Sequence, residues 1–413
     1  MIRPIHPGLS PNVEREDFVV ALSRIIKPNS YNKGNETERL EDWFKKFYKE
    51  KAYAFSSARG ALYVALVSLG VVPGDEVLVT GFTCIAVIDA ILATGARPVY
   101  IDIQKNFQLD FFDIKNKTTK KTKVLILQHT FGIPSGTKEI LHFAKSNNIF
   151  VVEDVAHGVG ITDKGKLLGT YGIASVFSLG RDKAFSCVSG GIVITKDSLL
   201  ADRIQELQNK QNFPSKLLVF QNLFHIVAFY LLILPLYDAL KLGKILLVMF
   251  QKLHLLAKPI DMDELEHFES YYKKLSPALS AIALSQLKRL HKFNAKRVAY
   301  TTFYQKNIKT EFVDSLPKNV PLLRFPLLVD DPEKLKKIAR KKHVYLGDWY
   351  SNGVDPKNVD LSEIFYEYGM CPTDEYISQH IINLPTYPTM SKKDVQKVVT
   401  IVQDYVKNQR NKK

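Results

Sequence analysis

The chain has 413 residues, 46% of them hydrophobic and 24% charged, which suits two packed domains, or one large and one small, with ample core. A formal net charge of +15 points to an anionic partner: a phosphorylated substrate, a lipid surface or nucleic acid. Nucleic acid ranks last, because there is no basic–aromatic ladder of the kind that stacks single strands. Cys84, Cys187 and Cys371 lie far apart with no CxxC, which argues against a disulfide framework or a zinc site and for a reducing cytosol. The opening "MIRPIHPGLSPNVERED" carries no apolar signal core, so secretion is not expected.

In chain order, "FSSARGALYVAL" comes first among the informative stretches. Ser57, Ala58, Arg59 and Gly60 are small or basic residues directly before an apolar helix, a form suited to anion binding at a helix N-terminus. Short apolar runs follow at 76–80, 98–101, 123–127, 150–153, 174–177 and 191–195. Helical patterns at 61–69, 85–93 and 138–146 separate several of them. Such alternation predicts an α/β domain with a mostly parallel sheet, whose ligand site lies at the carboxyl ends of the strands.

"LLVFQNLFHIVAFYLLILPLY", residues 217–237, has no charge and is about long enough to cross a bilayer. "DALKLGKILLVMFQKLHLL" repeats the hydrophobicity with lysines interspersed. Beyond it the spacing predicts one long helix over 276–304, a strand at 323–329, a helix at 332–342 and a strand at 343–346. A final amphipathic helix starts at the capping box of Ser391 and Asp394. This reads as a smaller α+β domain.

Asp154 ends a buried-looking strand in "VVEDVAHG", and Lys183 lies just past another strand end in "FSLGRDKAFSCVSGG". On a parallel sheet both face one crevice. A carboxylate and an amine there suit pyridoxal phosphate: the amine condenses with its aldehyde, and the carboxylate holds the ring nitrogen protonated.

These stretches, with "VVPGDEVLVTGFTC", "QHTFGIP" and "CPTDEYISQHIINLPTYPTMSKKDV", resemble in order and spacing the DegT-type sugar aminotransferases, which are fold-type-I pyridoxal-phosphate enzymes. The resemblance implies a large α/β domain over 17–265, carrying a hydrophobic insertion at about 214–257. A small α+β domain would span 266–413, with 1–16 packing near it. Lys183 would be the Schiff-base lysine and proton shuttle, and Asp154 the partner of the pyridine nitrogen. His157 would contact the ring hydroxyl, Ser178 the phosphate, and Ala156 one ring face. Ser57, Ala58 and Arg59 would form the phosphate loop. The family's stacking aromatic is replaced by Cys84, with Phe82 a substitute. Tyr272 takes the place of an asparagine that reaches the partner subunit's phosphate, with Lys273 and Lys274 close by, and Tyr387 that of a histidine.

The implied reaction moves an amino group, expected from glutamate, onto a nucleotide-linked keto-sugar in surface-glycan or modified-sugar synthesis, within a cytoplasmic homodimer. The rival reading is a catalytically retired, membrane-associated binding protein that keeps the fold. Two readings of the insertion also stand: a helical pair buried in the core or a dimer contact, or a hairpin or in-plane attachment to the cytoplasmic membrane face. A single crossing is excluded, because it would put Lys183 and the 276 helix on opposite sides of the bilayer.

Overall fold

The computed structural model describes residues 4–10, 12–239, 241–256 and 268–410. The boundary expected at 265/266 lies outside the described residues. Seven strands build the main sheet: β1 (Lys51–Phe55), β2 (Glu76–Thr80), β3 (Arg97–Ile101), β4 (Thr122–Gln128), β5 (Phe150–Asp154), β6 (Ala174–Ser178) and β7 (Gly191–Thr195). Their spatial order is β1-β7-β6-β5-β4-β2-β3. From β6 to β3 all neighbours are parallel, while β7 runs antiparallel to β6 and β1.

Period-2 side-chain alternation explains why these runs are apolar throughout. Val77, Val79, Val124, Ile126 and Val152 join one core, whereas Leu78, Leu125, Leu127 and Val151 join the other, on the opposite face. Helices Ala58–Ser68, Ile85–Leu92 and Ser198–Asn209 bury their apolar residues in the first core. Glu36–Tyr48, Lys138–Ser146 and Pro277–Leu287 bury theirs in the second. The register pairs Gln128 with Asp154 and Asp154 with Val176, so β4, β5 and β6 end together on one edge.

The C-terminal part carries an antiparallel pair, β8 (Arg324–Leu328) and β9 (Ile381–Pro385), with helices Pro332–Lys341 and Lys392–Arg410 packed on each other. Two expectations fail here. Residues 343–346 form no strand: His343 has φ 56° and ends the preceding helix. Pairing is then limited to single bridges, Val344 with Ile5 and Gly347 with Asn383. The 276–304 stretch is two helices, Pro277–Leu287 and Leu290–Asn307. They break at Lys288–Arg289, where the Arg289 guanidinium docks on Asp17 (2.5 Å) and Glu14 (2.8 Å) of the N-terminal helix Arg15–Ile25.

The chargeless stretch forms one helical run over Lys216–Leu236, more than half buried. Val219, Leu223 and Ile226 join the main core, and His225 Nε2 lies 2.7 Å from Ser10 Oγ. Pro235 is helical. It lacks the N–H for Leu231, and the π-helical turn Phe229–Ile233 before it accommodates the loss. The chain reverses after Tyr237 and returns as helix Leu242–Lys252.

Candidate active site

Lys183 lies in the loop joining β6 to β7. Its carbonyl accepts Asn12 Nδ2–H (2.5 Å), and the Ala184 carbonyl accepts the Arg297 guanidinium (3.0 Å). Arg297 also holds the Asn12 amide oxygen (3.0 Å). Two buried side chains distant in sequence, Asn12 and Arg297, therefore fix the backbone that carries the amine.

Lys183 Nζ is 3.0 Å from His157 Nε2. His157 Nδ1 accepts the Phe131 N–H (3.0 Å), from a turn in which Phe131 has φ 58°. Burial, then the positive charges of Lys183 and Arg324, hold His157 well below its ordinary range, so the ring is neutral. With Nδ1 an acceptor, the ring proton sits on Nε2. Nε2 and the Lys183 amine therefore face each other across that 3.0 Å contact.

Asp154 ends β5. Its carbonyl accepts the His129 N–H (3.0 Å) and its carboxylate the Ala156 N–H (2.9 Å). Burial pushes the Asp154 carboxyl up, and Ala156 and the Lys183 charge oppose that shift. Lys183, Asp154 and His157 thus share one edge of the sheet. Ser178 ends β6 and accepts the Gly180 N–H through Oγ (3.2 Å), and Ala156 is half-buried beside Asp154.

Ser57 caps helix Ala58–Ser68: its Oγ accepts the Gly60 N–H (3.0 Å) and donates to the Tyr271 carbonyl (2.8 Å). Gly191 lets β7 approach this turn, since a Cβ there would sit 2.4 Å from Ala58 Cα. The Arg59 guanidinium lies 3.9 Å from Asp89 and 4.6 Å over the Tyr271 ring. Tyr272 packs tilted against Tyr63 (5.0 Å, 32°), and the Lys273 carbonyl accepts the Ser56 N–H (2.7 Å). Lys274 Nζ reaches the Asn209 carbonyl (3.3 Å), and the Tyr387 hydroxyl accepts the His6 N–H (3.0 Å).

Phe82 is fully enclosed by Phe107, Phe131 and Tyr350. Cys84 keeps partial exposure and feels the charges of Lys183 and Arg59. Sequence reasoning missed Trp349, which stacks on His157 (5.2 Å, 6°) with Lys183 Nζ 4.5 Å from its ring. Arg324 lies over the same ring (3.2 Å) and pairs with Asp182 (2.7 Å). The signals available were thin: Trp349 is one of two tryptophans, and Asp182 adjoins Lys183.

These residues fit pyridoxal phosphate: the Lys183 amine beside a neutral imidazole, the buried Asp154 carboxylate on the same sheet edge, and a Ser57-capped helix start whose amides can take an anion. The pattern of the DegT/DnrJ/EryC1/StrS aminotransferase family matches residues 12–216 and 253–403. The chain belongs to that family. That family is one of aminotransferases, and pyridoxal phosphate is the cofactor on which aminotransferase chemistry runs. The match skips 217–252, most of the helical hairpin. Over 174 residues the chain is 39% identical to GDP-perosamine synthase of Escherichia coli O157:H7, covering 42% of this chain and 48% of that one. It thus spans about half the length of that relative. Over 431 residues it is 26% identical to the spore coat polysaccharide biosynthesis protein SpsC of Bacillus subtilis, covering 97% of each. Its fold matches an aminotransferase from Psychrobacter cryohalolentis, with TM-score 0.74, 20% identity, and 98% and 99% coverage. Neither the family match nor the placement of Lys183 supports a retired binding protein.

Proposed function

We propose that the protein is a pyridoxal-phosphate-dependent aminotransferase that moves an amino group from glutamate onto a nucleotide-linked keto-sugar for surface-glycan or modified-sugar synthesis. The observation that carries this is the Lys183 amine, 3.0 Å from an imidazole whose tautomer is fixed, on the same sheet edge as Asp154. The names of the polysaccharide-pathway relatives and the net charge of +15 favour an anionic nucleotide-sugar substrate.

Lys183 would hold the cofactor and, once displaced by the donor, carry the α-proton. Asp154 would pair with the ring nitrogen, which offsets the cost of a buried carboxylate. His157 would meet the ring hydroxyl and Ala156 one ring face. Ser57 orders the helix start so that the amides of Ala58 and Arg59, together with Ser178, take the phosphate. When bound, pyridoxal phosphate supplies the carbonyl that carries the amino group and the ring that accepts the electron pair.

We place the enzyme in the cytoplasm as a two-fold homodimer, the arrangement its resemblance implies, with the insertion turned to the membrane face. Mixing the purified protein with glutamate and following pyridoxamine phosphate tests the reaction: formation of it supports the reading, and none with any amino donor refutes it.

A further inference from the structure

We propose that helix Leu242–Lys252 is a membrane-docking element that lies in the plane of an anionic leaflet. The sequence pointed to the chargeless 217–237 stretch, but the structure spends most of that helix on the core. The returning helix is the exposed one. Leu242, Ile245, Val248, Met249 and Leu253 recur at helical spacing and are all exposed, Ile245 at 58% and Leu253 at 59%, and Leu232 of the preceding run is exposed too. Phe250 and Gly243 face inward, so the helix is amphipathic with its apolar stripe outward.

Charge decides what covers it. Lys241 and Lys252 are exposed at the two ends of the helix, and residues 241–256 contain no Asp or Glu. Lys244 is half-buried and bonded to Tyr345 (2.7 Å) beside Asp238. Asp238 is itself taken by His343 and Tyr345. Among the described residues 241–256, a second copy docked on this face would meet lysines and no acid. An anionic headgroup layer answers both lysines while the acyl boundary receives the stripe. Both ends of the hairpin return to one folded body, so the element lies on the membrane and does not cross it. The family pattern omits 217–252, so the element is an addition to the catalytic body. The inference rests on the cytoplasmic placement proposed above, where the leaflet is anionic.

The test is co-sedimentation of the full chain with vesicles of phosphatidylcholine alone or mixed with phosphatidylglycerol. Solution mass and the glutamate half-reaction are measured in parallel, so a failure of docking and a failure of catalysis are separate results. Wild type is expected to pellet with the anionic vesicles only. The variant carrying Lys241→Glu and Lys252→Glu should bind about tenfold more weakly or worse. The variant carrying Ile245→Ser, Val248→Ser and Met249→Ser should lose binding by a similar or larger factor, with its half-reaction rate kept. Wild type that ignores anionic vesicles, or binds both kinds equally, overturns the proposal. So does a triple variant that binds like wild type, or one whose only change is a smaller solution mass, which would assign the face to a second copy.

Discussion

His157 works as a neutral donor because a backbone N–H claims its other nitrogen. His157→Ala should therefore leave the fold intact but cut the half-reaction about a hundredfold, within the range for one positioned proton-handling group. Lys183→Ala should cost a thousandfold or more, to about the same order as removing a nucleophile, read as lost pyridoxamine phosphate formation. Burial also holds the His225 ring well below its ordinary range. A depressed folded-state value means that the unfolded chain binds the proton first as pH falls, so stability is lost from about pH 6.5 downward. The melting-temperature gap between wild type and His225→Gln should accordingly narrow between pH 7.5 and pH 5.5; a widening gap would show that the ring is protonated in the fold.

At the scale of elements, the lysine loop depends on a latch made far away in sequence. Asn12 and Arg297 hold the carbonyls of Lys183 and Ala184. Asn12→Ala should cost about 1–2 kcal/mol in stability, since it frees a buried carbonyl. It should also lower the half-reaction rate more than tenfold by letting the amine drift, and addition of excess cofactor should not restore it. The strands were legible in the sequence because both faces of the sheet are buried, so each strand is a short apolar run between turns. Asp154 and Lys183 were legible for a related reason, since strand ends in a parallel sheet converge, whereas His157 came only from the family resemblance. Other features had no local signature. The break at 288–289 contains neither Gly nor Pro and follows from Arg289 reaching Asp17 and Glu14. Residues 343–346 read as a strand, but their neighbour supplies only one bridge. Trp349 and Arg324 enter the site from the C-terminal part, by a tertiary approach that no spacing encodes.

For the whole molecule, the first helix of the insertion is core and the exposed stripe belongs to its returning helix, a division that hydropathy alone does not make. Its first helix contributes Val219, Leu223 and Ile226 to the main core. Deleting 217–252 should therefore unfold the protein or lower its melting temperature sharply, rather than release an intact soluble enzyme; a deletion variant that melts like wild type would contradict that. The central claim is covalent and is tested most directly by trapping. The protein is loaded with pyridoxal phosphate, reduced with borohydride, digested and weighed peptide by peptide. A single reduced cofactor adduct is expected on Lys183, absent from Lys183→Ala. An adduct confined to another lysine, or none at all, would contradict it.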